Sequence, residues 1–463
     1  MLFRSLPLLA GVRRWALAGR TVEATCEHEE GTTRMRVRLP ALVTAAERLT
    51  DPCKVDPPQR ATVPADRIER IDATALGAGP WGASGSPTWV GPARALPVTR
   101  AGERHPEWTI DEQVAHAVTV LRTRRTLDPD PPFVDTPTAA GPISLDGPIV
   151  AAIAEPGHDP ASRSLVALAA HLARSLGGHA AAISFERESH GIGRGWARWG
   201  AGRSVEVSNA SSEEDAAAAV TAWAVEARPW ALLATSTGWG REVAARVAAA
   251  LGAGMIGDAV ELDVTDGRLT AWKPAFSGQS LVSVGCTGAI QVATIRAGGL
   301  PQALPRPVFE EPRVAHVSVA PRRRVEVLDR TRDGHADRIA AARRIVGVGR
   351  GVDPTDLHLL APLTELLDAP LAASRKVTDA GWLPRSVQVG ITGATVAPQL
   401  YLAIGTSGRF NHAVGFRNAG TVVAVDRDPA APIFDVADLG IVGDWREVVP
   451  RLVEAIAAID LED

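Results

Sequence analysis

The chain has 463 residues, too many for one ordinary core, so two to four domains of about 100–200 residues each are expected. Its 46% apolar and 22% charged content is that of a soluble globular protein, and no apolar run reaches the ~18–20 residues of a membrane span. A net charge of −4 with dispersed arginines excludes a general attraction for nucleic acid. The short apolar stretch at Leu6 to Ala10 runs into Arg13 and Arg14 with no small-residue cleavage site, unlike a secretory leader. Three cysteines, Cys26, Cys53 and Cys286, lack CxxC spacing, so neither a disulfide framework nor a zinc or iron–sulfur set is readable. The chain reads as cytoplasmic, with no metal and no membrane insertion.

From the N-terminus, residues 1–100 read as an irregular segment and 101–148 as a helix with a Pro-rich linker. The Pro/Gly-rich stretches 77–97 and 127–148 suit extended connections, which puts the main boundary near Pro148. From Ile149, β-like runs at 149–154, 180–185 and 230–234 alternate with helical ones at 161–175, 213–227 and 241–251. Strands separated by helices of this length mean βαβ units and a mostly parallel sheet. Between 259 and 296 the texture turns antiparallel, with turns at Asp266-Gly267 and Ser277-Gly278. Pro301, Pro305, Pro307 and Pro312 mark a linker that closes this domain, 149–330.

A second α/β domain, 331–463, begins with Arg343-Arg-Ile-Val-Gly-Val-Gly-Arg-Gly351. A helix over 356–367, strand-like runs at 387–389, 401–404 and 421–425, and a final helix over 445–459 follow. The fold class is therefore α/β, with two doubly wound, mostly parallel sheets whose ligands lie at the carboxyl ends of the strands.

The chemistry concentrates in Val387-Gln-Val-Gly-Ile-Thr-Gly393, in Ile404-Gly-Thr-Ser-Gly408, and in Asn411-His412 with Gly415. Each loop is rich in glycine and hydroxyls, and the second opens into a helix. Such loops let backbone N–H groups approach a phosphate, and a helix N-terminus favours its charge. Tight βα turns use glycine equally well, and neither loop matches the Walker or G-x-G-x-x-G pattern, so spacing alone leaves the ligand unnamed. Taken singly, His412 reads as a core or surface histidine, Ser407 as a helix cap, and Arg375 beside Lys376 as a solvated pair.

The run Leu400 to Gly415, continued by Thr421-Val-Val-Ala-Val-Asp-Arg-Asp-Pro-Ala-Ala-Pro-Ile-Phe434, resembles the diagnostic segment of electron-transfer flavoprotein α subunits. Gly349-Arg-Gly351, Ala373-Ser-Arg375, Asp379-Ala-Gly-Trp382 and Gln388-Val-Gly-Ile-Thr-Gly393 resemble the same domain in the same order. The resemblance implies a Rossmann-like domain that binds FAD. Arg375 falls at the family arginine beside the flavin, where a fixed cation stabilises negative charge. Thr392 falls at a hydroxyl donor to the ring edge, His412 at a donor near the pyrimidine carbonyl, and Ser407 at the pyrophosphate-binding serine. Arg350, Ser374, Gln388, Val389, Gly390, Gly405, Gly408, Asn411, Asp426 and Asp444 fall at other positions lining the cofactor. The chain departs from the family at Asn411, where glutamine is usual, at Asp426, where asparagine is usual, and at Thr406 and Phe410, which replace aliphatic residues.

Residues 149–299 resemble the α subunit's first, nucleotide-hydrolase-like domain more loosely. Leu39 to Pro52 and Asp66 to Ile71 resemble the end of the β subunit, so that the N-terminal segment joins part of β to α, and Met1 then falls inside a domain. Leu39-Pro40 resembles the loop on which dehydrogenases dock, without the lysine-rich run that usually follows. By this resemblance the protein carries single electrons on FAD from flavin dehydrogenases, as in fatty acid β-oxidation, to a quinone-linked acceptor, in a heterodimer with a β-type subunit. It is an electron carrier rather than a substrate-converting enzyme. The alternative is an interaction or regulatory subunit that has lost FAD binding, to which Asn411, Asp426 and the missing larger part of β point.

Elsewhere, the run 191–200 with Trp196 and Trp199 reads as a flexible surface loop. His158, His171, His179 and His190 lack metal-ligand spacing, and no Ser/His/Asp or Cys/His set supports hydrolase chemistry.

Overall fold

A computed structural model describes residues 6–28, 31–46, 49–50, 55–72, 74–75, 77–79, 81–95, 100–128, 145–185, 195–275, 280–296, 300, 305–306, 311–332 and 334–459. Strict alternation shapes the first strands. In β1 (Leu8–Ala18), β2 (Thr21–His28) and β3 (Gly31–Arg38), the register sets Val22 against Val37, Ala24 against Met35 and Cys26 against Thr33, all buried on one face. The opposite face is wet, as period-two antiparallel strands dictate. β4 (Leu42–Ala45) pairs parallel with β1 at the edge.

Two further strands, β5 (Thr88–Ala95) and β6 (Glu103–Arg104), leave this segment for other sheets. Helix α1 (Ile110–Thr123) opens with a reciprocal capping box: Thr109 Oγ1 accepts the Glu112 N–H, and the Glu112 carboxylate accepts the Thr109 N–H.

The next domain alternates as its sequence predicts: β7 (Ile149–Ile153), α2 (Asp159–Ser175), β8 (His179–Phe185), β9 (Ala201–Ser208), α3 (Glu213–Ala227), β10 (Ala231–Thr235) and α4 (Gly238–Leu251). Then come β11 (Gly254–Ala259), β12 (Glu261–Thr265), β13 (Arg268–Ala275), β14 (Ser280–Cys286), β15 (Gln291–Ile295), β16 (Arg313–Ser318) and β17 (Val325–Arg332). Seven of these strands make a parallel sheet in the order β11-β15-β10-β7-β8-β9-β16. β7, β10 and β15 are buried along their whole length, which is why they read as unbroken apolar runs. The antiparallel texture is real: β12, β13 and β14 form a second sheet that β5 completes. Asp266 and Gly267 both have positive φ at the β12–β13 turn. The Ser277-Gly278 turn lies outside the described residues.

Two expectations fail here. The stretch 77–97 is not all connection, because Thr88–Ala95 pairs along β14; Pro92 is tolerated there because β5 is the edge strand and needs no inward N–H. Nor is 196–199 a surface loop: Trp196 is 2% exposed and packs with Leu165, Ala169 and Ala201 in the core of this domain.

The last domain contains β18 (Arg344–Val348), β19 (Leu371–Ala373), β20 (Leu400–Ile404), β21 (Thr421–Asp426), β22 (Leu439–Val442) and helix α5 (Trp445–Ala457). Its sheet runs β19-β18-β20-β21-β22-β6, parallel throughout, with the N-terminal β6 at one edge. Helix α1 covers the same face as α5, and Val114, Ala117 and Leu121 share a core with Val448, Val449 and Leu452. The expected strand 387–389 is a 3₁₀ turn over Arg385–Val387 followed by single bridges, Ala373 to Gln388 and Val389 to Ala394. The expected helix 356–367 is divided into a 3₁₀ segment, Pro354–Leu360, and a short α-helix, Ala361–Leu366. Among the described residues no helix is long and apolar enough to cross a membrane.

Candidate functional site

Within the last sheet the strand order reads 2-1-3-4-5 by chain position, with β6 added beyond. The chain leaves β18 to one side for β19 and returns on the other for β20. The loops at their carboxyl ends therefore diverge and open a crevice, the place where doubly wound sheets hold ligands. Three glycines meet there. The Gly349 N–H donates to the Ile404 carbonyl (3.0 Å) and the Gly351 N–H to the Gly405 carbonyl (2.9 Å). A side chain on Gly349 would lie 2.1 Å from the Gly405 oxygen, and Gly405 itself has φ +59. Only bare backbone permits this approach. Beyond it, the N–H groups of Thr406, Ser407 and Gly408 have no hydrogen-bond partner among the described residues. Gly408, with φ +65, would drive a Cβ to 2.3 Å from the backbone of Ile433.

The loop 388–396 is bound to the same wall. The Ile391 N–H donates to the Asn411 carbonyl (2.8 Å), the Val396 N–H to Gly415 (2.7 Å), and the Val389 N–H to Ala373 (2.9 Å). Gly390, at φ +139, has no room for a Cβ, which would sit 2.3 Å from the Asn411 oxygen. Gln388 is fully buried: its Oε1 accepts from the Thr378 hydroxyl (2.7 Å) and its Nε2 donates to Thr392 Oγ1 (2.8 Å). Thr392 is exposed and its oxygen already accepts, so its own proton is free to point into the crevice.

Arg375 follows β19 in a one-turn helix, with its Nε 3.3 Å from Asp379 Oδ2 and the side chain 48% exposed. Arg350, Ser407 and Asn411 are exposed at the same end of the sheet, and Ser374 is half-buried. Asp426 ends β21 and accepts the Asp428 N–H (3.0 Å); Asp444 caps α5 by accepting the Arg446 N–H (2.9 Å). The topology thus brings all the sequence-derived residues to the carboxyl ends of five adjacent strands or to the loop wall beside them.

Two details differ from expectation. The loop after β20 opens into only one helical turn, Phe410–Ala413, so a helix dipole contributes little to anion attraction; the unpaired N–H groups carry it instead. His412 is turned inward, 8% exposed, and burial pushes its pKa down to about 4. Its Nδ1 lies 2.9 Å from the Val389 carbonyl, which can only accept. The neutral ring therefore carries its proton on Nδ1, and Nε2 accepts from the Tyr401 hydroxyl at 3.3 Å. As placed, the imidazole orients the wall rather than donating outward.

One residue escaped the sequence reading. Arg296, just past β15 in the preceding domain, donates from Nη1 and Nη2 to the Gly390 and Ile391 carbonyls (3.3 and 2.6 Å). Nothing in Thr294-Ile-Arg296 marks it, since its role exists only where two domains meet.

A half-open hollow of about 450 Å³ lies near the switch point of the seven-stranded sheet, between β7 and β10, beside the N-terminal strands. Glu27, Glu155, Glu213 and Glu242 line it together with Arg241 and Arg330. Thr235 and Thr237 donate to Glu155 Oε2 at 2.8 and 2.5 Å, so the ends of β7 and β10 are already joined.

An FAD molecule requires backbone that a diphosphate can approach, donors at the rim and a cation beside the ring. The bare glycines, the N–H groups of residues 406–408, the Thr392 hydroxyl and the exposed Arg350 and half-exposed Arg375 are groups of these kinds.

Comparisons with known proteins agree. Residues 150–321 match the electron transfer flavoprotein domain, and residues 338–417 match the electron transfer flavoprotein FAD-binding domain. The electron transfer flavoprotein subunit alpha of Thermoanaerobacterium thermosaccharolyticum is 35% identical over 250 residues, which are 52% of this chain and 76% of that protein. The subunit alpha of Bacillus subtilis is 37% identical over 230 residues, 49% of this chain and 70% of that one. Protein FixB of Clostridium saccharobutylicum is 35% identical over 244 residues, again 49% and 70%. The chain belongs to the electron transfer flavoprotein alpha subunit family, and its last domain is the FAD-binding one.

Proposed function

We propose that the FAD of this electron transfer flavoprotein lies along the carboxyl ends of β18 to β22, its isoalloxazine ring against the wall that the loops 388–393 and 405–412 build together. The joining of those loops by the Ile391 to Asn411 hydrogen bond, at the carboxyl ends of β19 and β20, carries this reading. When bound, the flavin supplies one-electron chemistry; the protein's residues set how readily that happens. Thr392, oriented by Gln388, offers its proton to the ring edge. Arg375 sets a positive charge beside the ring, held from below by Asp379. Gly405, Ser407 and Gly408 present backbone and hydroxyl to the pyrophosphate, with Arg350 at the rim. Ser374, Val389, Gly390 and Asn411 form the wall, which His412 braces from inside. Asp426 and Asp444 mark the ADP end.

Electrons arrive from flavin dehydrogenases and leave to a membrane quinone oxidoreductase or a similar acceptor, and a β-type chain completes the assembly. Residues 1–100 stand in for the end of β, followed by the helix and linker 101–148, an α-type domain over 149–330 and the FAD domain over 331–463. Pairing of β3 with β17, and of β6 with β22, supports such a fused arrangement.

The test is spectroscopic and potentiometric. Purified protein carries about one FAD per chain, and Arg375→Gln lowers its reduction potential by tens of millivolts. An unscreened charge-assisted hydrogen bond of ~1.5–3 kcal/mol corresponds to roughly 65–130 mV, and the exposure of Arg375 reduces this. A protein that takes up no flavin sinks the electron-carrier reading in favour of an interaction subunit. An unchanged potential in Arg375→Gln removes Arg375 from the ring.

A further inference from the structure

At the edge of the flavin-domain sheet opposite β19, we propose that Glu103, His105 and His116 bind a divalent transition ion, with zinc the natural occupant. Spacing alone does not suggest it. The chain leaves β6, turns at Trp108 and returns as α1, and only that turn brings His116 over the strand.

The Glu103 Oε1 atom lies 3.3 Å from His105 Nε2 and 2.8 Å from His116 Nε2, and the three atoms all fall within 4.8 Å of one another. Zinc with bonds of ~2.0–2.1 Å holds tetrahedral ligand atoms about 3.4 Å apart, so little adjustment is needed. A second carboxylate fixes the histidine's proton. Glu107 Oε1 is 3.2 Å from His105 Nδ1 and can only accept, which places the proton of the neutral ring there and turns the Nε2 lone pair toward Glu103. This is the outer-shell carboxylate that metal-ligating histidines commonly carry. The His105 Nε2 lone pair facing an anionic oxygen is repelled unless a proton or a cation lies between, and His116 Nε2 faces the same oxygen, as a donor or, in its other tautomer, as a second lone pair. One dication satisfies all three atoms.

The rings are also held in place. Trp108 stacks on His105 at 3.8 Å and 9° between planes, and meets His116 edge-on at 5.6 Å and 88°. Glu103 sits on a strand paired with β22, and His116 on a helix whose start is fixed by its capping box. Two imidazoles with one carboxylate favour zinc, nickel or copper over magnesium or calcium. Three protein ligands leave a position for water, so the ion is exchangeable.

The test uses the full-length, FAD-loaded protein after chelator treatment. Zinc chloride titrated calorimetrically is taken up at about one equivalent per chain, and zinc-edge absorption of the loaded protein shows imidazole nitrogen at ~2.0 Å. His105→Ala and His116→Ala each weaken binding at least tenfold, Glu107→Gln weakens it about tenfold, and His316→Ala, a distant exposed histidine, leaves it unchanged. The flavin spectrum serves as the folding control in every variant. No binding at millimolar zinc, or wild-type affinity in the His105→Ala/His116→Ala double variant, overturns the site and leaves these residues a proton-linked network.

Discussion

Arg296 Nη2 donates to the carbonyl of Ile391 at 2.6 Å, so a guanidinium of one domain holds the backbone of the 388–393 loop of the next. A second bond, from Nη1 to the Gly390 carbonyl at 3.3 Å, makes the clamp two-pronged. Hydrogen bonds to a charged group are worth ~1.5–3 kcal/mol. Arg296→Met should therefore weaken FAD binding about tenfold or more, and Arg296→Lys, which keeps the charge but not the fork, should recover only part of it. Flavin fluorescence on dilution measures the release; wild-type affinity in both variants would reduce Arg296 to a packing residue.

Asp426→Asn should leave FAD binding equal or tighter. The Asn keeps an oxygen for the Asp428 N–H, at 3.0 Å in the wild type, while removing a negative charge from the end of the sheet where the proposed FAD places its phosphates. A large loss of affinity on titration would argue that Asp426 accepts from the ribose or adenine and matters as an anion.

Thr406 is 2% exposed, and its hydroxyl finds no partner among the described residues. A buried polar group without a hydrogen bond costs about 1–3 kcal/mol. Thr406→Val keeps the shape and removes the group, so unfolding by denaturant should show a gain of about 1 kcal/mol. A loss of stability would mean the hydroxyl is satisfied in solution.

Glu242 gives a pH dependence of defined sign. Burial, and secondarily the charge of Glu213, raises its pKa to about 7, against an ordinary value near 4.5, while Arg246 opposes the shift. Between these values the folded chain holds a proton that the unfolded chain has released, so this contribution to stability is full below about pH 4.5 and is lost as pH rises toward 7. Glu242→Gln abolishes the dependence and should gain roughly 1–3 kcal/mol on wild type between pH 5 and pH 8. Denaturant midpoints across that range check it; parallel curves would show that Glu242 is ionised throughout.

The sequence made the parallel strands legible because both faces of β7, β10, β20 and β21 are buried and their apolar runs are unbroken. It made the glycine crevice legible because backbone contact at Gly349, Gly390 and Gly405 tolerates no other residue. Orientation was not legible: the His412 ring turns to Tyr401, since Val389 and Phe416 offer it a dry pocket. Long-range pairing was not legible either. β5 carries Gly91-Pro92 and follows a glycine-rich run, Gly77 to Gly85, which together look like connection until β14 provides its partner. Arg296 and His116 acquire meaning only from elements far away in the chain.

The path of the first hundred or so residues has a mechanical consequence. One continuous stretch supplies strands to three sheets: β1 to β4 to one, β5 to the four-stranded one and β6 to the flavin sheet. Pulled from the N-terminus, the molecule should resist as a stitched fabric rather than come apart bead by bead, and a nick in the first hundred residues would slacken seams far from the cut.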